Sequence, residues 1–166
     1  MVMRVQCIGC RASREIVKFN GQCRCGNIAI TFETDLTVKN LPIRACSCSF
    51  CSKHSARTTT DPNGRASIVV REGKNLQRFR FEMQTADFLV CKKCGIYVGA
   101  LLTEGDKSYA TLNINTFTVK LGLQSNSKTV SYDGESKAER IARRRKNWTP
   151  CTLEIERKET LSFSKS

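Results

Sequence analysis

The sequence predicts a mainly β domain of antiparallel sheets with one helix near its C-terminus, and three observations predict it. Six short runs are enriched in β-branched or aromatic residues and are punctuated by Gly, Pro, Asn and Asp. The spacings between them are short, which suits antiparallel neighbours better than long crossovers. One stretch, Glu135–Asn147 (ESKAERIARRRKN), is rich in strong helix formers and follows Asp133-Gly134.

In chain order, Asn27–Glu33 (NIAITFE) alternates apolar and polar residues, the pattern of a strand with one buried face. Further strands are expected at Ser67–Arg71, Leu76–Met83, Ala86–Val90, Gly95–Leu102 and Tyr109–Ile114. Asn20-Gly21, Pro62-Asn63-Gly64, Glu72-Gly73 and Glu104-Gly105-Asp106 supply turns between these runs. A short helical turn is expected from Cys51 to Ala56. There is no internal repeat and no low-complexity linker. The organisation expected is an extension over residues 1–20, a principal domain over 21–133, and a basic helix and tail over 134–166.

A length of 166 residues suits one domain, and 40% hydrophobic with 26% charged residues excludes wholesale disorder and collagen-like repeats. The longest largely apolar stretch, Ile96–Leu102, is far short of the roughly 18 residues a spanning helix needs. The N-terminal segment turns polar before a signal-peptide core forms, so a cytoplasmic location is expected. The formal charge is +13, from 28 Lys and Arg against 15 Asp and Glu. It fits nucleic acid, an anionic surface or a small acidic substrate, and selects none of them.

The ten cysteines are not scattered: they form Cys7-x-x-Cys10, Cys23-x-Cys25, Cys46-x-Cys48-x-x-Cys51 and Cys91-x-x-Cys94, with Cys151 alone. A reducing compartment disfavours disulfides, and bridging two cysteines across one residue strains the ring. Metal binding remains. Two close pairs supply the four sulfurs of a closed tetrahedral zinc site, whereas a triplet leaves one position for water or substrate. Counting does not fix which pair joins which. Cys23-Cys25 with Cys91-Cys94 is the natural closure, since one shared ion would then staple a long loop. Cys7-Cys10 is open to a third site, to no ligand or to redox chemistry. Cys151 is expected as a small buried hydrophobe.

The strings Gly21-Gln-Cys23-Arg-Cys25-Gly26, Cys46-Ser-Cys48-Ser-Phe-Cys51 and Phe88-Leu-Val-Cys91-Lys-Lys-Cys94-Gly95 resemble the glutathione-dependent formaldehyde-activating enzyme family, which includes centromere protein V. The resemblance spans Gly21 to Asp133. It implies a β-tent fold holding two zinc ions per chain, one structural on Cys23, Cys25, Cys91 and Cys94, the other catalytic on Cys46, Cys48 and Cys51. It also implies a carbon-sulfur lyase-type activity on glutathione-aldehyde adducts, with S-hydroxymethylglutathione as product. Ser47 stands where the family commonly has His, Ser52-Lys53 where it has a basic pair, and Ala56 where it often has Gly. These departures leave the seven cysteines intact and bear on substrate recognition.

Lys53 and Arg57 are candidate partners for the tripeptide's carboxylates. His54, three residues beyond Cys51, is a candidate fourth ligand or proton carrier, against the plainer reading of an exposed histidine. Arg143-Arg144-Arg145-Lys146, with Lys137, Arg140 and Trp148, forms a cationic helix end that complements the helix dipole. It also supports an alternative function, a non-catalytic zinc-stabilised protein whose basic tail binds nucleic acid or protein.

Overall fold

A computed structural model describes residues 15–119 and 127–156. Cys7 and Cys10, most of the N-terminal extension and the tail after residue 156 lie outside the described residues. The strands are β1 (Val17–Gln22), β2 (Ile28–Thr34), β3 (Ile43–Cys46), β4 (Thr58–Thr59), β5 (Arg65–Val70), β6 (Leu76–Phe79), β7 (Asp87–Cys91), β8 (Tyr97–Glu104), β9 (Lys107–Asn113), β10 (Lys128–Val130) and β11 (Thr149–Ile155). Among the described residues two α-helices accompany them, the short α1 (Ser49–Lys53) and the longer α2 (Lys137–Asn147). The chain is mainly β, as its sequence predicts.

One sheet has the order β1-β2-β5-β11. The other runs β6-β7-β8-β9, and the far edge of β9 is shared by β11, at Tyr109 and Ala110, and by β4, at Leu112 and Asn113. Strands β3 and β10 extend that edge beyond β4. β11 therefore belongs to both sheets: Thr149 and Pro150 pair with β9, and Cys151–Ile155 pair with β5. The pairings are antiparallel except for β11 with β5 and β10 with β3, which depart from the all-antiparallel expectation.

The alternation read in NIAITFE is realised in β2, where Ile28, Ile30, Phe32 and Thr34 are buried and the residues between them are half-buried. Phe19, Phe32 and Phe117 stack at 5.7 to 6.4 Å between centroids in the main core. In β8 every residue from Tyr97 to Leu102 is buried. Val98 and Leu101 enter the main core, while Ala100 and Leu102 pack with Ile141 and Trp148 of the α2 segment. Covering by α2 explains why this strand reads as a continuous apolar run.

The expected strand Leu76–Met83 ends early, at Phe79, because the chain turns through Glu82 and Gln84 at positive φ. Helix α2 starts at Lys137, two residues later than expected, because Ser136 caps it. The Ser136 hydroxyl accepts the Glu139 N–H and the Glu139 carboxylate accepts the Ser136 N–H, a capping box. Helix α1 starts earlier than the turn expected at Cys51. There Cys48 is the cap, its Sγ accepting the Cys51 N–H at 3.5 Å. Among the described residues no helix is long and apolar enough to cross a membrane.

Candidate metal centres and the arginine-lined cleft

The first cysteine group joins two turns. Cys23 and Cys25 follow β1, Cys91 ends β7, and Cys94 sits in the turn before β8. Gly26 and Gly95, each directly after the second cysteine of its pair, take φ of +75° and +74°. Their N–H groups donate to the carbonyls of Cys23 and Cys91, so each pair curls around its own turn. The four sulfurs lie within 4.8 Å of one another, with Cys23 to Cys25 at 3.7 Å and Cys25 to Cys91 at 3.5 Å. A tetrahedral zinc with four thiolates separates its sulfurs by about 3.8 Å, so this set has the spacing the ion requires. Burial pushes the Cys91 thiol up to about 12. Burial also pushes Cys94 up, but the Ile96 and Cys25 N–H groups and the neighbouring thiols outweigh it and bring Cys94 down to about 6.

Cys46, Cys48 and Cys51 form the second group, again with sulfurs within 4.8 Å. Cys46 closes β3, Cys48 caps α1, and Cys51 lies inside α1 with its side chain buried. The Cys51 thiol donates toward Cys46 and holds Cys46 down to about 6, against its burial and with help from Cys48 and the positive Arg143. The same shared proton, with burial, drives Cys51 far upward. One member of the group is thus disposed to be a thiolate at neutral pH. No further Cys, His, Asp or Glu among the described residues joins this group. His54 instead packs its ring against Phe50 at 4.4 Å and Tyr97 at 5.7 Å.

The triplet opens into a cleft. One wall carries Phe88 and Tyr97, which pack edge-on against Phe50. Arg140, Arg143 and Arg144 of α2 and Arg44 of β3 also line the cleft. Lys53 is exposed at the end of α1, and Arg57 donates to the Ala56 carbonyl at 3.2 Å; neither lines the cleft. The α2 arginines are the cleft residues that sequence reasoning missed. Their run was visible, but its position over the triplet follows from α2 packing on β8, which no local pattern encodes.

Most of that run is paired within the protein. Arg140 meets Glu82 at 2.7 Å, and Arg143 binds Glu135 through two bonds of 2.6 and 3.0 Å while lying over the Tyr132 ring at 3.5 Å. Arg145 binds Glu104 in the same two-pronged way at 2.7 and 2.6 Å. Cys151 is buried, as expected for an isolated cysteine, and burial pushes its thiol up to about 12.

A solved structure of a Rhodobacter sphaeroides protein is similar, with 25% sequence identity and a TM-score of 0.52, over 67% of this chain and 99% of that one. Among curated proteins there is no significant match. A family model described as glutathione-dependent formaldehyde-activating enzyme matches residues 18–133, which include both cysteine groups, all but the first residue of β1, and β2 through β10. With its larger part matched, the chain belongs to the glutathione-dependent formaldehyde-activating enzyme family.

Proposed function

We propose that the protein is a zinc-dependent, carbon-sulfur lyase-type enzyme that joins glutathione to formaldehyde at the Cys46, Cys48 and Cys51 site. One observation carries this reading: three sulfurs gather in the lining of a cleft, while a separate set of four forms its own compact group. Four thiolates satisfy a structural zinc, and three leave a place for the substrate sulfur. Two ions per chain follow, one braced between β1 and β7, the other in the cleft.

A zinc ion held by Cys46, Cys48 and Cys51 would favour ionisation of a substrate thiol at neutral pH. In the addition, the glutathione sulfur forms a bond to the aldehyde carbon, the carbonyl π pair moves to oxygen, and that oxygen takes the proton the thiol gave up. Cys46 and Cys51 hold their sulfurs in place through β3 and α1, and Cys48 is fixed as the α1 cap. Phe88 and Tyr97 pack in the same apolar cluster as the three cysteines and give the site an apolar side. Lys53 and Arg57 stand off the cleft, and this reading does not require them.

The test is adduct formation by zinc-loaded protein from glutathione and formaldehyde, measured over the uncatalysed reaction. A rate above background that disappears in Cys48→Ser supports the reading. No excess over background in a fully loaded protein overturns it.

A further inference from the structure

We propose that Arg144, one of the α2 residues lining the cleft, is an anion seat that selects a carboxylate-bearing thiol for the triplet site. The inference rests on the proposed thiol chemistry and adds the residue that reads the thiol's carboxylates. Arg144 lies on a helix beyond residue 133, where the family match ends.

Arg144 is only 7% exposed. Its Nη1 donates to the Thr85 hydroxyl, and its guanidinium carbon lies 4.9 Å from the centre of the Trp148 ring. Its Nε is buried and has no hydrogen-bond partner. Arg140 and Arg143 beside it have Glu82 and Glu135, but among the described residues no carboxylate forms an ion pair with Arg144. A buried charge without an acidic partner is costly. Burial, and then the like charges of Arg143 and Arg140, bring Arg144 down to about 10, so it stays protonated at neutral pH.

A residue kept in this state beside a cleft is suited to an anion that arrives with the ligand. A guanidinium matches a carboxylate with two parallel N–H donors, a fit that a lysine does not reproduce. Arg44, on the same cleft, donates to the Thr60 hydroxyl at 2.8 Å and also lacks an ion pair among the described residues. The cleft therefore combines sulfur ligands at one point with cations lacking acidic partners at others. A thiol carrying one or more carboxylates satisfies both, and a neutral thiol of similar size satisfies only the first.

The experiment is calorimetric titration of the zinc-loaded full chain with S-methylglutathione, which keeps the carboxylates and cannot form a thiolate, and with its dimethyl ester. The acid is expected to bind about tenfold or more tightly than the ester, the range of a hydrogen bond to a charged group. In Arg144→Met that ratio falls toward one. Arg144→Lys, which keeps the charge and loses the fork, weakens acid binding and leaves ester binding unchanged; a structural role would weaken both alike. Equal binding of acid and ester by the wild-type protein, or a ratio unchanged in the folded variants, overturns the proposal. Turnover of glutathione is followed in parallel. Turnover without discrimination overturns the anion seat alone, and discrimination without turnover overturns the proposed reaction alone.

Discussion

The sulfur of Cys25 lies 3.5 Å from that of Cys91, although 66 residues separate them in the chain. An ion on this group closes that loop and ties the end of β1 to the end of β7. Cross-linking a loop of this length removes about 4 kcal/mol of chain entropy from the unfolded state, by the relation used for disulfides. Stripping the metal with a chelator is expected to lower stability by at least about that amount. Thermal unfolding with and without chelator measures it. Coincident curves from a protein shown to carry metal would contradict the bracing role.

Asp87 is buried in β7 and accepts from both Arg80, at 2.5 Å, and Arg78, at 3.3 Å. Burial alone would raise its carboxyl, but the two guanidinium groups outweigh burial and hold it below the ordinary carboxylate value. A carboxyl lowered on folding stabilises the protein above its unfolded pKa, and that contribution disappears as pH falls through the lower, folded value. Asp87→Asn is expected to cost about 1–3 kcal/mol at neutral pH, with both arginines partly exposed and screened. The gap between wild type and variant should narrow once pH drops below about 4. Denaturant midpoints at neutral and acid pH check this, and a gap constant across pH would sink it.

Gly99 sits in β8 opposite Leu112 of β9, and a Cβ built there would lie 2.5 Å from the Thr111 carbonyl oxygen. The obstacle is backbone, which cannot swing aside. Gly99→Ala should push β8 away from β9 at an overpacking cost of about 1–3 kcal/mol. Chemical denaturation measures the loss, and a variant as stable as wild type would show that the strands can give.

Legibility in the sequence followed how local each feature is. Strand β2 was readable because one face meets the core and the other meets the surface, so burial is written as alternation. The cysteine groups were readable because a metal site needs its sulfurs spaced at tight turns. Strand β11 had no such mark: its seven residues, TPCTLEI, contain a proline and divide their pairing between β9 and β5. Strands β4 and β10 have two and three residues, too few for any period to show. Arg144 illustrates a different loss. In sequence it is one cation in a run of four, indistinguishable from Arg145, yet packing buries the first and leaves the second on the surface facing Glu104.

The division between a closed four-sulfur group and an open three-sulfur group is tested most directly by counting zinc per folded chain, in wild type and in Cys48→Ser. Two equivalents should fall to one, the survivor held by Cys23, Cys25, Cys91 and Cys94. Two equivalents persisting in the variant, or none remaining, would contradict independent sites with separate tasks.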